Sequence, residues 1–139
     1  HTVALPPLSA LEVGHFADAD LLKGADPART VAVVELFDGA TLLSQQVVYF
    51  VPAKALALSP ARIDAELRAD GDGYVLTLRS STLVRALWVA FDGVDATLDD
   101  NALDLVPGET VTIRLRSEAD LDTLRDALRF TSLADAKAR

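Results

Sequence analysis

The feature that most limits the fold of this chain is the alternation of apolar and polar residues, broken at short intervals by turns. Residues 62–69 put small and branched apolar side chains on one side and charged side chains on the other. A period of two is typical of a strand that is buried on one face only. Asp38-Gly39 and Asp92-Gly93 follow other such runs, and glycine supplies the positive φ that a tight hairpin turn needs. The pattern therefore predicts antiparallel strands.

Short runs of this kind recur along most of the sequence. The predicted strands are residues 2–5, 11–16, 30–37, 41–50, 62–69, 74–79, 83–91, 96–98, 102–105 and 110–116, with shorter ones at 56–58 and 129–133. Strands without an alternating series of helices favour an antiparallel sandwich, and their uneven lengths argue against a barrel. The run at 83–91 is apolar on both faces except at Arg85, which predicts a central strand with Trp88 packed in the core.

Two segments are predicted to be helical. A single turn is expected at residues 19–24, where the run ends at Gly24. Near the C-terminus, Leu121 and Leu124 begin a stripe at helical spacing, and Ser117 with Asp120 resembles a capping box. The sequence therefore predicts an all-β antiparallel sandwich with one short helix near its C-terminus.

Composition excludes several classes of protein. Half of the 139 residues are hydrophobic, which excludes general disorder, and the net charge of -8 argues against nucleic acid and anionic membranes as partners. Cysteine is absent, which excludes disulfides, thiolate metal sites and cysteine nucleophiles. The longest apolar run, 86–91, is too short to span a bilayer, so we expect a soluble protein. Cytoplasm, periplasm and the extracellular space all remain open.

The residue inventory lacks a recognisable catalytic motif. His15 has no acid at a useful offset, and no nucleophile elbow, dinucleotide-binding loop or phosphate-binding loop is present. The Asp-Gly-Asp-Gly stretch at 70–73 resembles the start of a calcium loop, but its twelfth position is Ser81 where a glutamate is needed. We therefore predict no catalytic residues, no bound metal and no cofactor, and we interpret residues 70–73 as a hairpin turn.

Carboxylates are concentrated in one stretch between the predicted strands. A facing pair of them would suit glycoside hydrolysis, and Asp99, Asn101 and Asp104 would suit a cation, yet turn chemistry explains such residues more simply. The members of this cluster are Asp92, Asp95, Asp99, Asp100, Asp104 and Glu109.

The same stretch carries a resemblance to a known family. Residues 98–109 read LDDNALDLVPGE, after a long apolar strand and before a regular one. This resembles the C-terminal immunoglobulin-like domain of β-mannosidases of glycoside hydrolase family 2, in its Asp-Asn pair, its later Asp-Leu and its Pro-Gly-Glu turn. The family's aromatic residues are replaced by Leu98, Ala102 and Leu103. We expect the motif loop to be structural, with contact to a neighbouring domain as one use. It comprises Asp99, Asp100, Asn101, Asp104, Pro107, Gly108 and Glu109.

The resemblance also implies a domain organisation. Residues 1–54 are similar to the later strands of the penultimate β-sandwich of such enzymes, and residues 55–139 to the immunoglobulin-like C-terminal domain. The chain starts at His1 without a methionine, and we interpret it as a fragment or a processed chain. Its partners would then be the other domains of the parent glycosidase, or a second copy paired through incomplete sheet edges.

The family's catalytic glutamates lie on a (β/α)8 barrel, and no glutamate here belongs to a matching motif. The resemblance thus implies a non-catalytic accessory region of an enzyme that hydrolyses terminal β-D-mannose residues. A carbohydrate-binding module is the alternative, and it requires two or more solvent-facing aromatic rings on one face. With aromatics at 6% of the chain, a broad stacking platform is not expected.

Overall fold

A computed structural model describes residues 2–4 and 6–137 of the chain. It divides into two compact units, His1–Ala57 and Leu58–Arg139, which are described separately below. His1 and Leu5, the latter at the end of the first expected strand, lie outside the described residues. No helix in the described part of the chain is long and apolar enough to cross a membrane.

The first unit is built on one hairpin. Strands β1 (Val31–Asp38) and β2 (Thr41–Tyr49) pair in antiparallel register, from Val31 opposite Tyr49 to Asp38 opposite Thr41. Gly39 in the connecting turn has φ of +57°, as the Asp-Gly signal predicts. A five-residue helix, α1 (Asp18–Leu22), precedes the hairpin, and a 3-10 turn (Ala53–Ala55) follows it.

The two strands expected near the N-terminus are not formed. Neither residues 2–4 nor residues 11–16 pair with a strand, and Leu11, Val13 and Phe16 are exposed. The expectation was wrong because alternation gives a segment strand character, while a strand also needs a neighbour to bond. The short strand expected at 56–58 is likewise absent.

The hairpin leaves large apolar side chains exposed on both of its faces. Val34, Leu36 and Val48 point to one face, and Phe37 and Leu42, paired across the strands, point to the other. Leu36 is 56% exposed. A two-stranded hairpin is marginally stable by itself, so this unit has apolar surface suited to further packing.

The second unit is an antiparallel β-sandwich, as the sequence predicts. Its strands are β3 (Ile63–Asp70), β4 (Gly73–Ser80), β5 (Val84–Phe91), β6 (Thr97–Leu98), β7 (Leu103–Leu105), β8 (Thr110–Arg116) and β9 (Leu128–Thr131). They form a four-stranded sheet in the order β3-β4-β8-β6 and a three-stranded sheet in the order β7-β5-β9. This crossing of the chain between two sheets is that of an immunoglobulin-like fold.

The core lies between the two sheets. The inward residues of β8 alternate with exposed or half-buried ones, as a sandwich requires, and those of β5 do so from Leu87 onward. In β4, Leu76, Leu78 and Ser80 are buried at every second position, and Val75 is buried as well. Its most completely buried side chains are Leu76, Leu78, Val84, Leu87, Val89, Leu105, Ile113, Leu115 and Leu124. Leu124 comes from helix α2 (Leu121–Ala127), which carries the chain from β8 to β9.

The helix α2 has a different cap from the predicted one. Asp120 is the N-cap and accepts from the Thr123 backbone N–H at 2.8 Å, whereas the Ser117 hydroxyl donates to the Asp95 carbonyl at 2.6 Å. The capping-box prediction for Ser117 was therefore wrong, because a loop carbonyl already engages that hydroxyl.

A reciprocal cap occurs instead at the start of α3 (Leu133–Lys137), a helix that the sequence analysis did not predict. The Ser132 backbone N–H and hydroxyl both donate to the Asp135 carboxylate, at 2.7 and 2.8 Å. The Asp135 N–H donates in turn to the Ser132 carbonyl at 3.1 Å. Ser132 is buried, so these bonds also satisfy a polar group removed from water.

Candidate functional site

The motif loop runs along one edge of the sandwich and joins its two sheets. It begins at the short edge strand β6, passes through β7 in the other sheet, and returns to β8 in the first. Its polar side chains are therefore placed within reach of strands on both sides.

Asp99 is bonded to the strand beside it. Its Oδ1 accepts from the Arg114 backbone N–H at 2.9 Å, and its own N–H donates to the Arg114 carbonyl at 3.0 Å. Together these bonds extend the ladder between β6 and β8 by one further position beyond Leu98, which pairs with Leu115. The side chain takes the place of a backbone carbonyl at the end of the two-residue strand.

Asn101 makes the same kind of contact with the other sheet. Its Oδ1 accepts from the Val89 N–H at 2.8 Å, and its Nδ2 donates to the Val89 carbonyl at 2.9 Å. Oδ1 also accepts from the Ala102 N–H at 2.9 Å, while the Asn101 N–H donates to Asp100 at 2.7 Å. An amide is suited to this position because it carries an acceptor and a donor side by side, as a backbone peptide does.

Asp104 bonds to an irregularity in β5. Its Oδ1 accepts at 2.8 Å from the N–H of Ala86, where φ is +50° and the register against β7 shifts between Val84 and Leu87. A left-handed backbone costs energy in a residue with a Cβ, so this hydrogen bond offsets part of that cost. Ala102, in the loop itself, also has a positive φ of +58°, and its N–H donates to Asn101 Oδ1.

The loop ends in a tight turn before β8. The Glu109 N–H donates to the Val106 carbonyl at 3.1 Å around Pro107 and Gly108, and Gly108 has φ of +84°. Proline followed by a glycine of positive φ is the sequence of a type II turn. The Gly108 N–H donates outside the turn, to the Ser80 carbonyl at 3.1 Å, which ties the turn to the end of β4.

The other carboxylates of the acidic stretch do not converge with these. Asp92 forms an ion pair of 3.1 Å with Arg129 Nε. The backbone carbonyl of Asp95 accepts a hydrogen bond from the Ser117 hydroxyl. Asp99 and Asp104 point their oxygens at backbone N–H groups of strands in different sheets. Residues 2–4 and 6–137 contain no group of three or more His, Asp or Glu residues arranged to hold a metal ion.

The structure places the remaining candidates apart from one another. His15 is exposed in the first unit, and residues 70–73 form the turn between β3 and β4. Tyr74 is half-buried, and its hydroxyl donates to the Ala119 carbonyl at 2.7 Å, fastening β4 to the segment before α2.

Trp88 does not lie in the core, and that prediction was wrong. Its side chain is 55% exposed on β5, between Leu87 and Val89, which point inward. The strand is central in its sheet, as expected, yet its outer side is open. Apolar residues on both sides of a strand indicate that both faces are suited to burial, but they do not show that this domain covers both.

A shallow cleft opens beside the motif loop, at the end of the four-stranded sheet. It has a volume of about 460 Å³, and its lining includes Asp72, Tyr74, Thr97, Asp99 and Arg114. Asp99 meets the Arg114 backbone there through its side chain. The lining carries neither a histidine nor a serine, and its carboxylates are those of Asp70, Asp72 and Asp99.

Two carboxylates have lowered pKa values, and both lie at helix starts. The Thr123 N–H, donated to Asp120, lowers the pKa of that carboxyl, and the Ser132 N–H does the same to the pKa of Asp135. Hydrogen bonds to the charged form favour ionisation. These shifts therefore reflect helix capping.

Both units match family models of domains found in mannosidases. Residues 58–136 match the family model of the mannosidase Ig-fold domain, and residues 1–55 match that of the mannosidase Ig/CBM-like domain. A search of curated proteins found no significant match.

Among solved structures, a β-D-mannosidase from Dictyoglomus thermophilum is similar over 72% of this chain, with a TM-score of 0.62 and 22% identity. The likeness supports the fold, and this chain spans 12% of that protein's length. Because the Ig-fold model covers more than half of the 139 residues, the chain belongs to the mannosidase Ig-fold domain family.

Proposed function

We propose that this chain is a non-catalytic accessory region of a β-mannosidase, and that it supports the catalytic domain of the parent enzyme by packing. The parent would hydrolyse terminal β-D-mannose residues. One observation carries the proposal: the polar side chains of the motif loop bond to the domain's own backbone instead of converging on a common centre. Asp99 bonds to Arg114, Asn101 to Val89 and Asp104 to Ala86.

Catalysis would need the opposite arrangement. A glycosidase holds two carboxyl groups about 5–10 Å apart on either side of an open substrate site. Here Asp99 and Asp104 accept hydrogen bonds from backbone N–H groups of this domain. Asp70 and Asp72 line the same shallow cleft as Asp99, and the Asp99 carboxylate is held there by the Arg114 backbone N–H.

The domain assignment is part of the same proposal. We infer that residues 1–54 supply later strands of an upstream sandwich, and that residues 55–139 form the terminal immunoglobulin-like domain. The exposed apolar side chains on both faces of the β1–β2 hairpin support this, because strands inside a larger sandwich would have them covered. The occupants would be other parts of the parent chain, with a second copy of this chain as the alternative.

Carbohydrate binding is the second candidate function, and the exposure of Trp88 favours it. Sugar rings stack on open indole faces, and Trp88 offers one. Among the described residues of the second unit, however, it is the one large aromatic side chain that is exposed. A platform with two or more rings on one face is therefore not formed by residues 58–137. Calorimetric titration with mannobiose and mannan tests this function, and measurable heat would favour it.

Truncation tests the primary proposal. Removal of residues 58–139 from the full-length parent should lower its thermal stability, because a domain that packs on others contributes contact area to them. Enzyme that remains folded should still hydrolyse a chromogenic β-mannoside, since the truncation removes no catalytic group. A truncated enzyme that stays as stable as the parent would overturn the supporting role.

A further inference from the structure

Trp88 lies at the middle of an outward surface formed by β5 and β9. We call this surface the Trp88 face, and it comprises Ala86, Trp88 and Ala90 of β5 with Arg129 and Thr131 of β9. Trp88 pairs across the strands with Thr131, and Ala90 with Arg129. Small alanines on either side of the indole along the strand leave its ring raised above the sheet.

The outer face of the opposite sheet is different in kind. On β3 and β4 it presents Asp64, Glu66 and Arg79, and on β8 it presents Thr112 and Arg114. Such a mixture of charges is typical of a face that stays in water. A tryptophan on the central strand of the other sheet is thus a specific departure from the surface that this domain otherwise presents to solvent.

Polar groups beside the indole are largely engaged within the domain. Arg129 Nη1 donates to the carbonyls of Asp126 and Leu128, both at 2.8 Å, and its Nε pairs with Asp92. Asp104, in the neighbouring strand, accepts from the Ala86 N–H. A sugar site needs polar groups that converge on the hydroxyls next to the stacked ring, and the Thr131 hydroxyl alone does not form such a set.

The engaged charges favour a protein surface as the occupant. Tryptophan is the residue that most often anchors protein interfaces, where its ring fills a recess and its N–H meets an acceptor. The indole N–H of Trp88 has no hydrogen-bond partner within the described residues. The occupant therefore needs an apolar recess with one acceptor at its edge and no requirement for a charge.

We propose that the Trp88 face docks on another domain of the same mannosidase polypeptide, outside residues 1–139, with Trp88 inserted in such a recess. The inference rests on the proposed function and names the surface through which the packing occurs. A parent polypeptide as long as the matched β-mannosidase has ample further chain to supply the docking domain, because this chain spans 12% of that protein's length. An intramolecular contact also needs little area, since tethering raises the effective concentration of the two surfaces.

Hydroxyl-radical footprinting with mass spectrometry tests the inference directly. Trp88 is the single tryptophan of these 139 residues, so its oxidation is followed on one peptide, with the half-buried Tyr74 as internal reference. We expect Trp88 to oxidise roughly fivefold or more slowly in the full-length enzyme than in the 139-residue chain, because the core of an interface excludes water. Equal oxidation in both would overturn the inference.

Two further outcomes would overturn it in favour of other occupants. Protection that appears in the 139-residue chain only with mannobiose or mannan present would identify a sugar site. Protection in that chain that increases with its own concentration would identify a second copy. Protection in the full-length enzyme without sugar, at any protein concentration, supports the docking of the parent chain.

Paired variants separate this inference from the proposed function. Trp88→Ala should lower the midpoint of thermal unfolding of the full-length enzyme and leave that of the 139-residue chain nearly unchanged, while Thr112→Ala should leave both unchanged. Equal effects of Trp88→Ala in both proteins would sink the docking inference alone. Absence of β-mannoside hydrolysis by the full-length enzyme would sink the proposed function, whatever the footprint of Trp88 shows.

Discussion

Asn101 holds the backbone of Val89 at both ends of its side-chain amide, with its Oδ1 2.8 Å from the Val89 N and its Nδ2 2.9 Å from the Val89 O. Strand β7 pairs with β5 only from Val84 to Leu87, so the Val89 position has no strand partner on that side. The Asn101 side chain therefore replaces one rung of the sheet. This explains why the loop carries an amide at this position, although a carboxylate has the same shape.

Replacement of Asn101 tests this rung. Asn101→Ala should lower the free energy of unfolding by about 2 kcal/mol, because the N–H and carbonyl of the buried Val89 each lose a partner. Asn101→Asp should also destabilise, since it keeps the acceptor for the N–H but sets a charged oxygen against the Val89 carbonyl. Urea unfolding followed by circular dichroism measures both.

The matched control for Asn101 is Asp100→Ala. Asp100 is exposed, and within residues 2–4 and 6–137 its side chain bonds only to the adjacent Asn101 N–H, so its loss should cost well under half as much. If Asn101→Ala proves no more harmful than Asp100→Ala, the replacement of a sheet rung by Asn101 is refuted.

A glycine at the start of β4 should resist substitution for a reason of space. A Cβ added to Gly73 would lie 2.8 Å from the Leu115 carbonyl oxygen, in the adjacent strand β8. Gly73→Ala should therefore cost about 1–3 kcal/mol through a forced backbone shift. The measurement is again the free energy of unfolding in urea.

Gly71, two residues earlier, provides the comparison for Gly73. It has φ of +63° with open space around it, so Gly71→Ala is strained by conformation but meets no atom. Gly71→Asn should be less destabilising than Gly71→Ala, because Asn tolerates the left-handed region. Gly73→Asn should be at least as destabilising as Gly73→Ala, and a smaller loss of stability in Gly73→Asn would contradict the steric account.

The helix cap at Asp120 should make stability depend on pH on the acid side. The Thr123 N–H holds the folded-state pKa of Asp120 below its ordinary value, and Asp135 is lowered in the same direction by Ser132. Stabilisation from both carboxylates is thus complete above the unfolded-state pKa of about 4 and is lost as the pH falls through the folded-state values. Unfolding measured from pH 6 to pH 2 should show this decline.

Asp120→Asn isolates the contribution of the cap to that decline. Asparagine still accepts from the Thr123 N–H but does not titrate. The variant should therefore lose less stability below pH 4 than the unsubstituted 139-residue chain does. The control is Asp122→Asn, at an exposed carboxylate paired with Arg125. Its stability should depend on pH in the same way as that of the unsubstituted 139-residue chain. Identical pH profiles for the unsubstituted 139-residue chain and Asp120→Asn would contradict the assignment of this pH dependence to the Asp120 cap.

The β1–β2 hairpin should make the 139-residue chain self-associate when the rest of the parent is missing. Leu36→Lys places a charge on one exposed apolar face and should reduce the apparent mass in light scattering. Gln46→Lys adds the same charge on that face and removes no apolar side chain, so it should have a smaller effect. If the unsubstituted 139-residue chain is monodisperse in light scattering, the exposed hairpin does not drive self-association.

Local pattern was sufficient to predict most of the second unit. Residues 110–116 were predicted with the same bounds that β8 has, because alternation and the Pro-Gly turn are both read within a few residues. The turns at Gly39 and Gly93 followed from Asp-Gly in the same way. These features depend on backbone conformation, which short segments largely determine.

Features that depend on distant partners were not predictable in the same way. Trp88 belongs to an apolar strand, but whether its outer face has a cover depends on chain that is far away in sequence. Leu11 and Phe16 have strand-like neighbours in sequence and no strand to pair with. The motif residues were found by resemblance, while their bonds to Val89 and Arg114 required the fold to bring those strands alongside.

Hydrolysis of a chromogenic β-mannoside, assayed side by side with the 139-residue chain and with its full-length parent, tests the central claim most directly. We expect turnover by the parent and none above the buffer rate by the chain, because Asp99 and Asp104 accept hydrogen bonds from its own strands. Turnover by the purified chain that disappears in Asp99→Asn or Asp104→Asn would contradict the account.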